Sequence, residues 1–410
     1  MKYPKSAEYI IIGGGIIGIS TAYHLAKAKK GIIVLDANEL VSQASGRNGG
    51  MVVQLDARDA NIAVMKAKLG FARKGIQELK NYQKELDVDF EFKQVGCLDF
   101  IFNKKELDEM KAFVELQNST GDDEICIIDR DQTIEEMPII NEKVLGARYR
   151  PSDGRLNPLK LCFGIADKAK TMGVRFYEFA RVVEILIESG QVRGVKLSDG
   201  TIIKSKWVIN CTNAWAESLT PEIRIVPIRE IAMITEPIPE IKQNTFEAYI
   251  GSLMGTEEEQ HCWGTSQHAN GNICIGGPGL LPNHFYNTVT YEETINTVNM
   301  IKAMFPILNE VKIIRAWCGA FAFTPDYNPY VGHITGKKGL FVIAGLNNGF
   351  GLGPSLSKLG SELLLEGEAS LDITTMNPMR FVGKNIVLPK EYKYAGIQKY
   401  IAEHSREWLA

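Results

Sequence analysis

Short apolar runs alternate with helical periodicity along the first fifty residues. Tyr9–Ile12 and Ile32–Leu35 are continuous apolar runs, typical of strands buried in a parallel sheet. Between them, the segment from Ile16 to about Lys29 has the pattern of a helix, which Gly31 ends. The chain therefore opens with a strand, a helix and a second strand.

Longer segments follow with both periodicities. Amphipathic spacing predicts helices over Asp56–Leu86 and Asn157–Met172, the second with Asn157 as N-cap and Pro158 as its first residue. Turn signals separate apolar runs over Arg181–Asn210, and residues 223–278 are mostly strand-like. This mixture predicts an α/β (α+β) fold in which a parallel-sheet nucleotide domain is interleaved with a mainly antiparallel second domain.

The last third of the chain also contains helix and strand signals. Thr290 and Glu293 have the spacing of a capping box, so we expect a helix that stops before Pro306. An apolar strand at Leu340–Ala344 precedes a Gly-rich loop, and a helix is expected from about Pro354 to Leu365. The charged stretch from Lys384 to Arg406 is expected to be a solvated surface helix.

Composition narrows the function classes. The chain has 410 residues, 45% of them hydrophobic, which is enough for two or three domains. A net charge of -3 provides no basic surface, which argues against a nucleic-acid partner. The seven cysteines are scattered without a C-x-x-C pair, so we expect reduced thiols and no metal site. We expect a cytoplasmic protein without a signal peptide or membrane span, because the chain enters a strand by Tyr9.

The strongest motif is the G-x-G-x-x-G sequence from Gly13 to Gly18, between the first strand and the first helix. Gly13 permits a tight turn, Gly15 lets backbone approach a pyrophosphate, and Gly18 allows close helix–strand packing. Asp36 ends the second strand eighteen residues after Gly18, where a carboxylate can accept hydrogen bonds from a ribose. This context argues against a simple Gly-rich turn and indicates a dinucleotide site, without deciding between FAD and NAD.

The following loop, V-S-Q-A-S-G-R-N-G-G-M from Val41 to Met51, resembles that of the D-amino-acid oxidase family of FAD-dependent oxidoreductases. This family includes glycine and sarcosine oxidases and opine, proline and hydroxyproline dehydrogenases. The resemblance extends over about residues 8–370 through D-G-R-L-N-P at Asp153–Pro158, the strands of Val182–Asn210, C-T-N-A-W at Cys211–Trp215, T-P-D at Thr324–Asp326 and the Gly-rich segment Gly345–Pro354. Asn213 replaces a family glycine, and we expect the turn to survive because Asn tolerates left-handed backbone.

The resemblance implies FAD as cofactor and oxidation of the C–N bond of a small amino acid or secondary amine by hydride transfer to flavin N5. It implies a discontinuous FAD-binding domain of residues 1–85, 145–222 and 326–370, a substrate-binding domain of residues 86–144 and 223–325, and a tail of residues 371–410. The residues it implies for FAD are Gly13, Gly15, Ile16, Ile17, Gly18, Asp36, Ala37, Ser45, Gly46, Arg47, Asn48, Gly49, Gly50, Met51, Val182, Thr212, Trp215, Gly319, Asn348, Gly349, Phe350, Gly351 and Leu352.

Departures from the family carry information. Gly319 stands where sarcosine-oxidase-like members attach FAD to a cysteine, so we expect dissociable FAD. In relatives, an arginine at the position of Phe321 or a lysine at the position of Gly351 binds the substrate carboxylate. Arg47 either substitutes for these cations or is an FAD ligand. Cys274 replaces a lysine that activates oxygen, which favours a dehydrogenase over an oxidase.

Candidate pocket residues are Met51, His261, Trp263, Phe321 and Asn348, and no catalytic base is assigned. Ordinary packing is an alternative for His261 and Trp263, as it is for Phe321 and Phe323. The sequence leaves open an oxygen-using amine oxidase, and a flavin-binding subunit of a heteromeric opine- or proline-type dehydrogenase. It also leaves open the electron acceptor and a homo- or hetero-oligomeric state. An NAD(P)H-linked flavoprotein reductase would need a second G-x-G-x-x-G motif, which the sequence lacks.

Overall fold

The computed structural model describes residues 3–54, 62–241, 245–249, 261–277 and 288–386, with backbone alone for residues 62–64, 245–249 and 261–263. The helices are α1 Ile16–Ala26, α2 Ala44–Arg47, α3 Ile62–Glu85, α4 Lys104–Ser119, α5 Arg130–Glu136, α6 Pro158–Thr171, α7 Ala216–Leu219, α8 Tyr291–Met304 and α9 Gly349–Glu366. Short 3-10 turns cover Asn213–Trp215, Pro306–Glu310, Thr374–Met376 and Pro378–Phe381.

The strands alternate with these helices along the chain. They are β1 Tyr9–Ile12, β2 Ile32–Leu35, β3 Met51–Val52, β4 Cys97–Ile101, β5 Cys126–Asp129, β6 Gly146–Arg150, β7 Gly154–Arg155, β8 Arg175–Tyr177, β9 Val182–Glu188, β10 Gln191–Leu197, β11 Ile202–Lys204, β12 Trp207–Asn210, β13 Val226–Thr235, β14 Thr245–Tyr249, β15 His261–Gln267, β16 Ile273–Gly276, β17 Ile313–Phe323, β18 Tyr330–His333 and β19 Leu340–Ala344.

A six-stranded sheet contains the first two strands. Its order is β18-β19-β12-β1-β2-β8, and every pair is parallel except β18 with β19. One face packs on α1, α3, α6 and α9, and the other on the antiparallel sheet β11-β10-β9. Because both faces are covered, strands β1, β2 and β19 are buried and apolar throughout, as the sequence predicted.

A second sheet of eight strands has the order β17-β13-β16-β15-β14-β4-β6-β5. Every pair is antiparallel except β14 with β4, so the expected mixture of a parallel nucleotide unit and a mainly antiparallel second unit is confirmed. Strand β6 lies in this sheet although the expected boundaries assign residues 145–150 to the first domain. Domains that follow the sheets would place that boundary after Arg150.

Two helix boundaries differ from the sequence prediction. α1 ends at Ala26 rather than near Lys29, and α9 begins at Gly349 rather than at Pro354. Pro354 therefore lies inside α9 beyond the four N–H groups that a helix start leaves free, so its missing N–H removes one bond, to the Phe350 carbonyl, from the second turn. The segment expected as a loop is instead the start of the helix. The capping box of α8 and the Asn157 cap of α6 are confirmed.

Among the described residues, no helix combines the length and hydrophobicity that crossing a lipid bilayer requires. The surface helix expected from Lys384 to Arg406 lies mostly outside the described residues.

A buried polar cluster lies where β6 and β7 meet the end of β3. Arg150 donates two hydrogen bonds to Asp122, and its Nε lies 3.9 Å from Oδ1 of Asp153. The backbone N–H and Nε2 of Gln54 donate to the same Asp153 oxygen at 3.0 and 3.1 Å. Burial raises the pKa of Asp153 to about 7, against the opposing effects of Arg150 and Gln54.

This shift makes a prediction for stability. Because the pKa of Asp153 is higher in the folded than in the unfolded chain, its stabilising contribution is present below about pH 4 and is lost as pH rises through 7. Asp153→Asn removes the ionisation. Relative to wild type, the variant should gain at most about 4 kcal/mol of unfolding free energy between pH 4 and pH 8.

Urea unfolding at a series of pH values measures this difference. Asp123→Asn is the control, since Asp123 is a surface neighbour with a side chain that is 90% exposed. It should keep the wild-type pH dependence. If the unfolding free energies of wild type and Asp153→Asn change with pH in the same way, the raised pKa of Asp153 is contradicted.

Candidate functional site

A cavity of about 610 Å3 extends from the β1–α1 turn to one face of the eight-stranded sheet. Most of the residues that the sequence analysis selected for FAD line it. These are Gly13, Gly15, Ile16, Ile17, Asp36, Ala37, Ser45, Arg47, Asn48, Gly49, Met51, Val182, Thr212, Trp215, Gly319, Asn348, Gly349 and Phe350.

The β1–α1 turn brings backbone amides to the cavity. Gly13 has φ +105, and a Cβ there would lie 2.7 Å from the carbonyl oxygen of Cys211 on the neighbouring strand end. Gly15 is the N-cap of α1, and the next amide, of Ile16, donates to Oγ of Ser45 at 2.9 Å. The positive end of the α1 dipole therefore faces the cavity, as anion binding requires.

Asp36 lies at the carboxyl end of β2, beside this turn. Its Oδ2 accepts from the Gly14 amide at 2.6 Å and its Oδ1 from the Asn38 amide at 2.8 Å. Burial raises the pKa of Asp36, and these two amides oppose the rise. Arg181 and Val182 line the cavity near it, so this end has the groups that suit an adenosine ribose.

The loop from Ala44 to Met51 crosses from the nucleotide fold to the eight-stranded sheet. Arg47 donates from Nε to the Ser42 carbonyl at 2.6 Å and from Nη1 to the Cys318 carbonyl at 3.0 Å. Trp317 returns a bond from its Nε1 to the Arg47 carbonyl at 2.7 Å. Arg47 therefore fastens the loop to β17, a role that the sequence analysis did not foresee.

The rest of this loop lies on strands β15 and β16. A Cβ at Gly49 would lie 3.3 Å from Sγ of Cys274, and Oγ of Ser266 donates to the Gly49 carbonyl at 3.1 Å. The Met51 side chain occupies the space above Gly264, where a Cβ would lie 1.7 Å from its sulfur. The sheet can approach the loop this closely only because residues 49 and 264 have no side chain.

Asn213 joins two other segments of the cavity wall. It has φ +47, so the expectation that Asn maintains the left-handed turn is confirmed. Its Oδ1 accepts from the amides of Gly345 and Leu346, both at 2.9 Å, and its Nδ2 donates to the Leu346 carbonyl at 3.0 Å. A glycine could adopt this turn but could not form these bonds.

The N-terminus of α9 also borders the cavity, beside the start of α1. Asn348 is its N-cap, accepting from the Gly351 amide at 2.9 Å and donating to the Val53 carbonyl. Gly349 and Phe350 line the cavity with the open end of the helix. A cluster of backbone N–H groups therefore faces the cavity here, and no lysine is among the described residues that line it.

Five residues predicted to contact FAD lie outside the cavity lining: four are glycines that allow close backbone packing, and the fifth is a core leucine. A Cβ at Gly18 would lie 1.9 Å from the Gly13 carbonyl oxygen, one at Gly46 2.1 Å from that of Val41, and one at Gly50 2.1 Å from that of Leu156. A Cβ at Gly351 would lie 2.2 Å from the Val53 oxygen, and Leu352 is buried in the core beside α1 and α3. These residues pack behind the lining of the cavity and so determine its shape indirectly.

Strands β16 and β17 supply the sheet face of the cavity. Gly319 and Phe321 line it, whereas Cys318, one residue away, points to the opposite face with its Sγ 3.9 Å from the Thr288 carbonyl. Phe323 stacks on Phe321 with ring centroids 6.5 Å apart but is buried in the core. Phe321 is thus part of the wall, and Phe323 is core packing.

Cys274 lines the cavity from β16. Burial raises the pKa of its thiol to about 12, so the sulfur is neutral at physiological pH. The side chains of the other two pocket candidates, His261 and Trp263, lie outside the described part of the structure, although β15 itself runs beside β16.

The sequence analysis missed Glu230 and Ala232 on β13. The signal was present: Glu230 is a carboxylate in an apolar alternating strand, with Ile228 and Ala232 on the same face. Strand alternation groups these three side chains on one face, but only the pairing of β13 with β17 shows that this face borders the cavity.

The comparisons with known proteins agree with this geometry. The model of the FAD dependent oxidoreductase (DAO) family matches residues 8–363. The chain belongs to this family. It is 25% identical to dimethylglycine dehydrogenase of Rattus norvegicus over 96% of the chain and 49% of the relative, and 24% identical to glycine oxidase of Bacillus licheniformis over 88% and 94%.

Solved structures give the same result. L-proline dehydrogenase from P. horikoshii is 28% identical, with a TM-score of 0.82 over 92% of this chain and 98% of that one. Glycine oxidase from Geobacillus kaustophilus, at 20% identity, shares the fold with a TM-score of 0.81 over 93% of this chain and 100% of that one. The chain spans about half the length of the dimethylglycine and sarcosine dehydrogenases that it matches.

FAD is the cofactor of this family, and the cavity suits it. The amides at α1 suit a pyrophosphate, Asp36 suits a ribose, and the glycines at positions 13, 15 and 49 leave space that a side chain would fill.

We predict that FAD is held without a covalent bond. Gly319 has no side chain to link, and Cys318 points away from the cavity. Acid precipitation of the holoenzyme should therefore release all yellow colour into the supernatant. Flavin that stays on the denatured protein, with Cys318 modified, would contradict this prediction.

Proposed function

We propose that this protein is an FAD-dependent dehydrogenase that oxidises the C–N bond of a small amino acid or secondary amine and passes the electrons to an acceptor other than oxygen. Family membership supports the FAD-dependent redox chemistry. The activities of its relatives, which include dimethylglycine dehydrogenase, sarcosine dehydrogenase and glycine oxidase, support the substrate class.

The observation that carries the choice of acceptor is the neutral thiol of Cys274 in the cavity wall. Oxidases that the sequence resembles have a lysine here, and a fixed positive charge would stabilise negative charge developing on reduced oxygen. A buried thiol supplies no such charge. The enzyme is therefore expected to react slowly with oxygen.

Bound FAD supplies the ring that takes hydride from the carbon beside the substrate nitrogen. The protein positions this ring and stabilises its charge. Amides at the N-termini of α1 and α9 both border the cavity, where they would stabilise the negative charge of the pyrophosphate and of the reduced ring system. The substrate amine must be neutral when the hydride leaves, so an amine that binds as the ammonium first gives up a proton.

The substrate pocket is proposed between β17, which carries Phe321, and β15, which carries His261 and Trp263. Strands β13 and β16 lie between these two in the sheet. There Ala232 pairs with Gly276, so small residues leave room for a ligand over this face. Arg47 already donates to two backbone carbonyls, which argues against it as the main anchor of a carboxylate. The eight-stranded sheet would then be the substrate domain and the six-stranded sheet the FAD domain.

The choice of acceptor is tested by comparing peroxide formation with dye reduction on the same substrate. In the wild-type enzyme, peroxide should form far more slowly than the dye is reduced. Cys274→Lys should raise the oxygen rate by roughly tenfold or more if the lysine is charged, since one charge-stabilising group contributes a few kcal/mol. Cys274→Ser is the matched control and should leave the oxygen rate low. Rapid peroxide formation by wild type would identify an oxidase instead.

The pocket position is tested by Phe321→Arg. An arginine fork restores pairing with a carboxylate, so the variant should shift preference towards glycine, or lose turnover, while FAD remains bound. Phe323→Leu, in the core behind it, should reduce thermal stability without changing substrate preference. Unchanged kinetics of Phe321→Arg across a substrate panel would show that the pocket lies elsewhere.

A second candidate is the flavin-binding subunit of a larger dehydrogenase. It is favoured by the chain's coverage of 49% and 42% of the dimethylglycine and sarcosine dehydrogenases. Reduction of a dye by the purified chain with an amine substrate, without other proteins, would favour the self-sufficient enzyme.

A further inference from the structure

Glu230 is a buried carboxylate in the wall of the cavity. It lies in the middle of β13, is 5% exposed, and stands directly opposite Gly319 of β17. Residues opposite each other in an antiparallel pair have their side chains on the same face, so Glu230 shares its face with the cavity-lining positions 319 and 321. The adjacent Arg229 points to the other face, where it pairs with Glu293.

Opposite Glu230, the absence of a side chain at Gly319 makes room for the aliphatic part of Arg47. A Cβ built on Gly319 would meet only the aliphatic part of Arg47, at 3.3 and 3.9 Å. Phe321 lies diagonally across the strand pair from Glu230, because its direct partner is Ile228. A carboxylate and the face of an aromatic ring therefore lie within reach of one ligand at this end of the cavity.

A buried carboxylate beside an aromatic ring suits a cation. The carboxylate accepts charge-assisted hydrogen bonds from an ammonium group, and the negative face of a ring attracts the same charge. A substrate carboxylate would instead be repelled here. The family's arginine is absent at residue 321, and Arg47 is hydrogen-bonded to the Ser42 and Cys318 carbonyls.

We propose that Glu230 determines substrate specificity by binding the substrate as its protonated amine, with Phe321 covering the same cation, and that the ammonium proton passes to the Glu230 carboxylate before hydride leaves the neutral amine. This inference rests on the proposed oxidation of an amine and assigns the orientation of the substrate, with its nitrogen towards β13 and β17. The preferred substrates are then small amines and amino acids whose carboxylate, where present, points away from this wall.

The direct test uses ligands of one shape and three charges. tert-Butylammonium, tert-butanol and pivalate differ in charge, and the ammonium has no hydrogen on the carbon beside nitrogen, so it cannot be oxidised there. Isothermal titration calorimetry of the oxidised holoenzyme should show tert-butylammonium binding at least about tenfold more tightly than tert-butanol, with pivalate weakest. Equal affinities, tighter binding of pivalate, or no binding of the ammonium would overturn the proposal.

Variants locate the effect at Glu230. Glu230→Gln keeps the shape, so FAD content should stay at the wild-type level while the preference for the ammonium falls by roughly ten- to a hundredfold. Glu230→Asp should retain part of the preference. Glu78→Gln is the control for a buried carboxylate elsewhere, since Glu78 pairs with Lys358 on α9, and it should bind the ammonium as wild type does. Retention of the full preference by Glu230→Gln would refute the assignment.

Because the probe is never turned over, the result is independent of catalysis. Ammonium binding that depends on Glu230, in a protein whose flavin no amine reduces, would uphold this site and refute the proposed function. Reduction by amines without any dependence of binding or KM on Glu230 would do the reverse.

Discussion

Hydrogen bonds between the Ala44–Met51 loop and strand β17 hold the two sheets on either side of one cavity. Arg47 donates to the Cys318 carbonyl, and Trp317 donates to the Arg47 carbonyl. These bonds fix the loop on the sheet that faces the nucleotide fold. The positions of Gly49, Met51 and Cys274 relative to one another follow from this attachment, and the composition of the wall then determines which ligands fit.

Close approach is the second constraint. The β1–α1 turn, the loop and the start of α9 each bring backbone amides to the cavity, and each does so at glycines where a Cβ would collide with neighbouring atoms. Asn213 is the exception, because its side chain joins the Cys211–Trp215 turn to Gly345 and Leu346. A cavity built from backbone depends little on individual side chains at its nucleotide end, which is where the fold is most recognisable from sequence.

The nucleotide end could be predicted because its signals are local. Gly13, Gly15 and Asp36 occupy fixed positions in a strand–helix–strand unit, and the strands at Tyr9–Ile12 and Leu340–Ala344 have the expected bounds. The part of the cavity lined by the eight-stranded sheet was harder to predict, because its residues come from strands that are distant in sequence. Glu230 was missed since its meaning depends on which strand lies opposite, and Gly351 lies in the first turn of α9, outside the cavity lining, because the helix begins earlier than Pro354.

The central claim is that this cavity holds FAD for the oxidation of a small amine or amino acid. Anaerobic titration of the purified holoenzyme with a panel of amino acids and secondary amines, followed by the visible absorption of the flavin, measures this directly. The account predicts that at least one secondary amine or cyclic amino acid bleaches the flavin completely, whereas glycine bleaches it slowly or not at all. A flavin that stays oxidised with every amine of the panel would contradict the account.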